Sequence, residues 1–226
     1  MKSPFFESFT YRLKKRRAKR TKRNLGFLLA PTPTFPLDVD FSAADLSADR
    51  FRIISYATRD GFYDWQLDRL KQSCIDQGLS CATETIPNCS ALNAQLFKPT
   101  FIKFKLLTLQ ATVVWVDADA IVTAPFSLPA EAWDLATVSN QKNPDKNPIL
   151  SLCIAFRPTI GALRFLEAWE HLCSAQWLGH VGDHERLTSV RRLHISPAKA
   201  FTEIDISDRI SGCIRRDIGK NKEGLL

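Results

Sequence analysis

With 226 residues, of which 45% are hydrophobic, 24% charged and 10% aromatic, the chain has a globular composition and enough length to bury a large core, which excludes wholesale disorder. Apolar runs such as Val113 to Val116 and Gly26 to Ala30 fall far short of the roughly 18 to 20 residues a spanning helix requires, so no transmembrane helix is expected. The net charge of +7 belongs to one segment: nine Lys or Arg lie between residues 12 and 23, and without them 22 basic residues face 24 acidic ones.

Residues 1–24 therefore form a basic arm. If it is helical, Phe5, Phe9 and Leu13, with Phe6 alongside, make a short apolar stripe ahead of the cations. Such a stripe can enter a headgroup region while each near-surface Lys or Arg adds about 1 kcal/mol on anionic lipid, so an anionic membrane surface is the expected partner. A polybasic arm also fits a phosphate backbone. Against nucleic acid, the body has no excess positive charge and no recognised nucleic-acid module. Residues 25–49, with Pro31, Pro33 and Pro36, read as an extended linker. Pro31 cuts short the run that a secretory signal would need. The six cysteines show neither CxxC pairs nor metal-site spacing and read as reduced thiols. The expected location is cytoplasmic, peripheral on the inner face of the cytoplasmic membrane.

The domain spans residues 50–226. Phe51 to Ala57 is a β-rich run suited to a buried strand. A helix should follow, capped by Asp60, with Tyr63, Leu67, Leu70 and Cys74 at helical spacing and Gly78 as its stop. Leu79 to Ile86 reads as a second strand. Pro99 reads as the start of a helix that buries Phe101, Phe104, Leu107 and Leu109. Thr112 to Val116 is β-branched and apolar on both faces, the pattern of a central strand covered on both sides. Leu135 to Val138 and Ile149 to Phe156 predict further strands, and Pro158 opens a helix with Ile160, Leu163, Leu166, Trp169 and Cys173 inside. Strands alternating with helices predict an α/β sheet, mixed but mostly parallel, that binds ligands beyond the carboxyl ends of its strands.

Asp117-Ala118-Asp119 leaves the central strand at that end. Two carboxylates at i and i+2 can converge on one ligand if the backbone turns between them. Hard oxygen donors of this kind suit Mn or Mg, which would bridge them to a diphosphate. Carboxylates also end strands simply as turn residues, so context decides. That context is the order of Phe97-Lys98-Pro99-Thr100-Phe101-Ile102, the Trp-containing strand with its DxD, the earlier segment Ser55 to Tyr63, and the later Gly182-Asp183-His184-Glu185-Arg186-Leu187 preceded by Trp177. Taken together, from Arg50 to Leu193, this order resembles the GT-A nucleotide-sugar glycosyltransferases with a DxD motif, in particular the bacterial nucleotide-diphospho-sugar transferases.

The resemblance implies a GT-A (Rossmann-like) fold and transfer of a sugar from a nucleotide-diphosphate donor to a saccharide or lipid-linked (glycolipid) acceptor, with a divalent metal and retention of configuration. Carried over to this chain, it makes Asp119 the principal metal ligand and has Asp117 share the metal or contact the ribose. Thr58 and Tyr63 would hold the nucleoside. Lys98, Lys103 and Lys105 become candidates for the diphosphate, of which at most one of the last two can reach it, since i and i+2 on a helix diverge. Asp183 would bind a sugar hydroxyl or assist the acceptor, with His184 or Glu185 beside it; Asp183 is equally placed to start a helix. No His follows His194 to serve as a further metal ligand. The nine glycines contain neither GxGxxG nor GxxxxGK[ST], against dinucleotide or P-loop binding. The enzymatic alternative is a DxD phosphatase of haloacid-dehalogenase type, although Ile121 stands where that chemistry wants a hydroxyl. The non-enzymatic alternative is a nucleic-acid-binding protein acting through its arm.

Overall fold

The computed structural model describes residues 39–44, 46–47, 50–141, 144, 148–174, 182–194 and 201–216. The arm, most of the linker and Trp177 lie outside these residues. Among the described residues no helix is long and apolar enough to cross a membrane, and all six cysteines are free.

Strand β1 (Phe51–Thr58) is followed by helix α1 (Tyr63–Asp76), strand β2 (Cys81–Ile86), helix α2 (Ala91–Leu109) and strand β3 (Thr112–Val116). Next come β4 (Ala120–Val122), β5 (Leu135–Ser139), β6 (Ile149–Phe156), α3 (Ile160–Ser174) and α4 (Asp183–His194). The short β7 (Glu203–Asp205), α5 (Ser207–Ile210) and β8 (Ile214–Arg216) complete the described chain. Six strands form one sheet in the order β2-β1-β3-β6-β5-β7. Only β6 runs against the others: it pairs antiparallel with both β3 and β5, whereas β1 is parallel to β2 and β3, and β5 to β7. β4 leaves this sheet and pairs antiparallel with β8, with Ala120 opposite Arg216.

The alternation of side chains along β1 and β3 divides the core in two. Ile54, Tyr56, Val113 and Trp115 face one layer with Phe101, Leu106, Leu166 and Trp169 of α2 and α3. Ile53, Ala57, Val114 and Val116 face the other layer with Leu67, Leu70 and Cys74 of α1. A strand apolar on both faces must sit between two covered layers, as its composition predicts. Each fully buried large side chain contributes about 1.5–3 kcal/mol.

α1 ends where the sequence indicates. The Asp60 carboxylate accepts from the backbone N–H of Phe62 (3.0 Å) and Tyr63 (2.8 Å) at its start. At its end Gly78 takes φ +67°, with its N–H on Ile75 O (3.0 Å) and that of Leu79 on Cys74 O (2.9 Å). These two bonds close a Schellman turn that favours glycine. α2 departs from the expectation. It starts at Ala91, capped by the Ser90 hydroxyl accepting from Asn93 N–H at 3.1 Å, and Pro99 lies inside it. Its inner face is Lys98, Phe101, Ile102, Lys105 and Leu106, while Phe104 is 53% exposed. Two lysines thus turn toward the protein on an otherwise apolar stripe, and each must find a partner there.

Candidate functional site

β3 carries its last residues to the end of the sheet where β1 also finishes, and there the chain turns. Ala120 N–H bonds back to Asp117 O (3.0 Å), and Asp117 N–H bonds to Leu152 O of β6 (2.9 Å). The backbone of Asp117 is thereby tied to both neighbours before its side chain makes any contact.

The Asp117 carboxylate is fully engaged. Its Oδ1 accepts from Lys98 Nζ at 3.0 Å and from the Trp115 indole N–H at 2.9 Å. Its Oδ2 accepts from Arg216 Nη2 at 3.1 Å. Lys98 also pairs with Asp183 Oδ2 at 2.7 Å and lies 5.0 Å from the Trp115 ring centroid. Lys98 and Asp183 are each only 5% exposed. Burial alone would pull the lysine pKa down, but the charges of Asp117 and Asp183 outweigh it and hold the ammonium above the ordinary lysine range. Lys98 is therefore a fixed cation between two carboxylates from β3 and α4.

Asp119 is held differently. Its Oδ2 meets Arg216 Nε at 3.2 Å, so the guanidinium spans both carboxylates of the DxD. Burial pushes the Asp119 carboxyl above its ordinary value; Arg216 opposes that rise and Asp117 adds to it. Arg216 reaches this position because β8 sets it opposite Ala120, next to Asp119.

Two cavities flank this cluster. One of about 230 Å³ is bounded by Tyr56, Thr58, Asp60 and Tyr63 from the end of β1 and the start of α1, and by Lys98, Asp117, Asp119 and Arg216 on the opposite side. Thr58 Oγ1 donates to Asp60 Oδ2 at 2.8 Å. Tyr56, whose phenol burial keeps well above its ordinary pKa with Asp183 and Asp117 adding to the shift, donates to the Ala94 carbonyl. The other cavity, about 790 Å³, is bounded by Ser139, Asn140, Cys153, His184, Glu185 and Ser207, and again by Arg216. His184 Nε2 is buried there without a hydrogen-bond partner among the described residues. Burial pulls the imidazole below its ordinary pKa against the pull of Asp183 and Glu185, which favours the neutral ring.

Of the residues expected from sequence, Thr58, Tyr63, Lys98, Asp117 and Asp119 share the smaller cavity, and His184 lines the larger. Asp183 joins the cluster through Lys98 and is not among the residues lining either cavity. Lys103 is a correction: it pairs with Glu170 of α3 and does not line the cavity, because its side chain leaves α2 on a different face from Lys98. Lys105 likewise pairs with Glu84 of β2. Sequence reading misses Arg216, Asp60 as a wall residue, and the indole N–H of Trp115. The last had a signal, since a Trp two residues before a carboxylate on one strand shares its face.

Two carboxylates suit a divalent ion of the Mg or Mn type, which is commonly held by one or two carboxylates with its other ligands from phosphate and water. Among the described residues no group of three or more His, Cys, Asp or Glu side chains could hold a metal. The remaining ligands would come from substrate. Since the oxygens of Asp117 are taken by Lys98, Trp115 and Arg216, Asp119 is the better placed of the two to give an oxygen to such an ion.

No family model and no curated protein matches the chain. Among solved structures it is similar to a glycosyltransferase involved in the glycosylation of the major capsid of PBCV-1, at 12% identity and a TM-score of 0.54, over 76% of this chain and 96% of that one. The fold is GT-A-like. At this identity the likeness is one of architecture: a mostly parallel six-stranded sheet flanked by helices.

Proposed function

We propose that the protein is a glycosyltransferase that moves a sugar from a nucleotide-diphosphate donor to a saccharide or lipid-linked acceptor with a divalent cation. The observation that carries this reading is the meeting of the DxD carboxylates with Thr58, Asp60 and Tyr63 around one cavity at the carboxyl ends of β1 and β3. That is where α/β sheets bind nucleotides.

In this reading Tyr63 and Thr58 contact the nucleoside, and Asp119, steadied beside Asp117, holds Mn or Mg. Such an ion offsets the charge that develops on the departing diphosphate. Lys98 keeps Asp117 oriented, and Asp183 keeps Lys98 in place. The larger cavity receives the sugar and acceptor. His184 lines it, and Ser139, Asn140 and Glu185 offer polar contacts there. The basic arm, residues 1–24, would bring the enzyme to anionic membrane carrying a glycolipid acceptor, a role of the kind cations and aromatics play at such surfaces.

Calorimetry with UDP, GDP, CDP and ADP, each with and without Mn, tests the proposal. Metal-dependent binding of one of them is expected. Binding of none in either condition overturns it.

A further inference from the structure

The charges around the DxD do not balance. Three carboxylates, Asp117, Asp119 and Asp183, meet two cations, Lys98 and Arg216. The cations differ in kind. Lys98 is interior to a 19-residue helix and its side chain is 6% exposed. Arg216 has a side chain 53% exposed and sits on a three-residue strand that, among the described residues, pairs with the three-residue β4, apart from the main sheet. Arg216 also borders both cavities. Its two contacts are with Oδ2 of Asp117 and Oδ2 of Asp119, so it holds one oxygen of each carboxylate of the DxD and competes with a metal ion for the charge of Asp119.

Resting on the reading above, we propose that Arg216 is a displaceable internal counter-ion of the DxD. It bridges Asp117 and Asp119 until a divalent cation takes Asp119, and the released guanidinium then binds the diphosphate. Electrostatics favours the exchange. One uncompensated negative charge at the cluster attracts a divalent ion and repels a diphosphate. Once the ion is bound, a guanidinium freed from Asp119 has a phosphate within reach as its better bidentate partner. Arg216 would thus keep the carboxylates from repelling each other without substrate and move to the leaving group when donor and metal arrive together.

The test is Mn titration of the full chain without nucleotide, with free Mn read by electron paramagnetic resonance, on the wild type, R216Q, R216K and R215Q. Arg215 is the adjacent exposed residue of β8 and points to the other face of the strand, so R215Q controls for the loss of one positive charge. Circular dichroism melts confirm that each variant is folded, and R216K keeps a cation if R216Q does not fold. R216Q should bind Mn about tenfold more tightly than wild type, the factor that about 1.4 kcal/mol of relieved competition gives. R216K should fall between them, and R215Q should stay within about twofold of wild type. At saturating Mn, R216Q should bind the nucleoside diphosphate selected by calorimetry more weakly than wild type. Mn affinity that is unchanged or weaker in both Arg216 variants overturns the exchange and leaves the metal reading standing. Mn bound by no variant, with or without the nucleoside diphosphates, overturns both. Tighter Mn with unchanged nucleotide affinity overturns the transfer of Arg216 to the diphosphate.

Discussion

Asp117 is held from two sides by unlike means. On the inner side Lys98 comes from the middle of a long helix, is buried, and is shared with Asp183. On the outer side Arg216 comes from a short ribbon and is half exposed. A buried ion pair is costly to form and costlier to break, because removing one partner strands the other in a medium that solvates it poorly. An exposed pair is worth little and exchanges readily with water, ions and ligands. The same carboxylate therefore has a fixed anchor and a replaceable one, and the two can be separated by experiment.

The largest effect belongs to the anchor. Lys98→Met leaves Asp183 buried without its cation and Asp117 with Arg216 alone, and should cost about 3–5 kcal/mol of stability, seen as a fall in the urea midpoint. An unchanged midpoint would show that the two sides of Asp117 do not differ in the way described. Asp183→Asn comes next, at about 2 kcal/mol, because Lys98 keeps Asp117 while losing the second charge. If Asp183 touches sugar directly, transfer should fall while the midpoint stays. A fall in both places it behind Lys98 as a positioning residue.

Arg216→Gln should cost less than about 1 kcal/mol of stability, as an exposed pair does, despite its effect on Mn. Lys103→Gln should be similarly mild, and nucleotide binding should be unaltered, since Lys103 serves Glu170. The smallest effect concerns acid. Burial raises the Asp60 pKa, but hydrogen bonds from the Tyr63 amide, the Thr58 hydroxyl and the Phe62 amide prevail and hold it below its ordinary 3.8. A carboxyl depressed by folding stabilises the protein above its unfolded pKa, and that contribution is lost as pH falls through the folded value. Asp60→Asn should therefore flatten the loss of stability that wild type shows below pH 3.8, measured by urea denaturation across that range.

What the sequence discloses follows from how local the cause is. β1, β3 and β6 could be read because strands buried on both faces need continuous apolar runs, and α1 because its cap and its stop lie beside it. The start of α2 was hidden by Pro99. A proline usually marks a first turn, yet here the Ser90 cap and the packing of Phe101, Ile102 and Leu106 outweigh the roughly 3 kcal/mol that an interior proline costs. Reading the helix from Pro99 also put Phe104 inside and left the inward turn of Lys98 unseen. The sequence makes Lys98 a candidate cation for phosphate but carries no sign that Asp117 and Asp183 both pair with it. Arg216 could not be found at all, because 99 residues separate it from Asp117 and only the pairing of β4 with β8 brings them together. Tertiary contacts of that span leave no periodic mark on the chain.

The reversed strand β6 has a consequence for how such a protein can be altered. Because it runs against its neighbours, it begins where they end, and its opening residues Leu150, Ser151 and Leu152 form one wall of the larger cavity together with Asn140 and Gln141 at the end of β5. The segment between the two strands, residues 140–148, is thus a natural place for lengthening, shortening or grafting. Changes there would reshape the chamber assigned to the acceptor while Asp117, fixed through its backbone to Leu152 and through its side chain to Lys98, stays in place. Under the proposed function, a library confined to residues 140–148 tests for new acceptors while the smaller cavity is left unchanged.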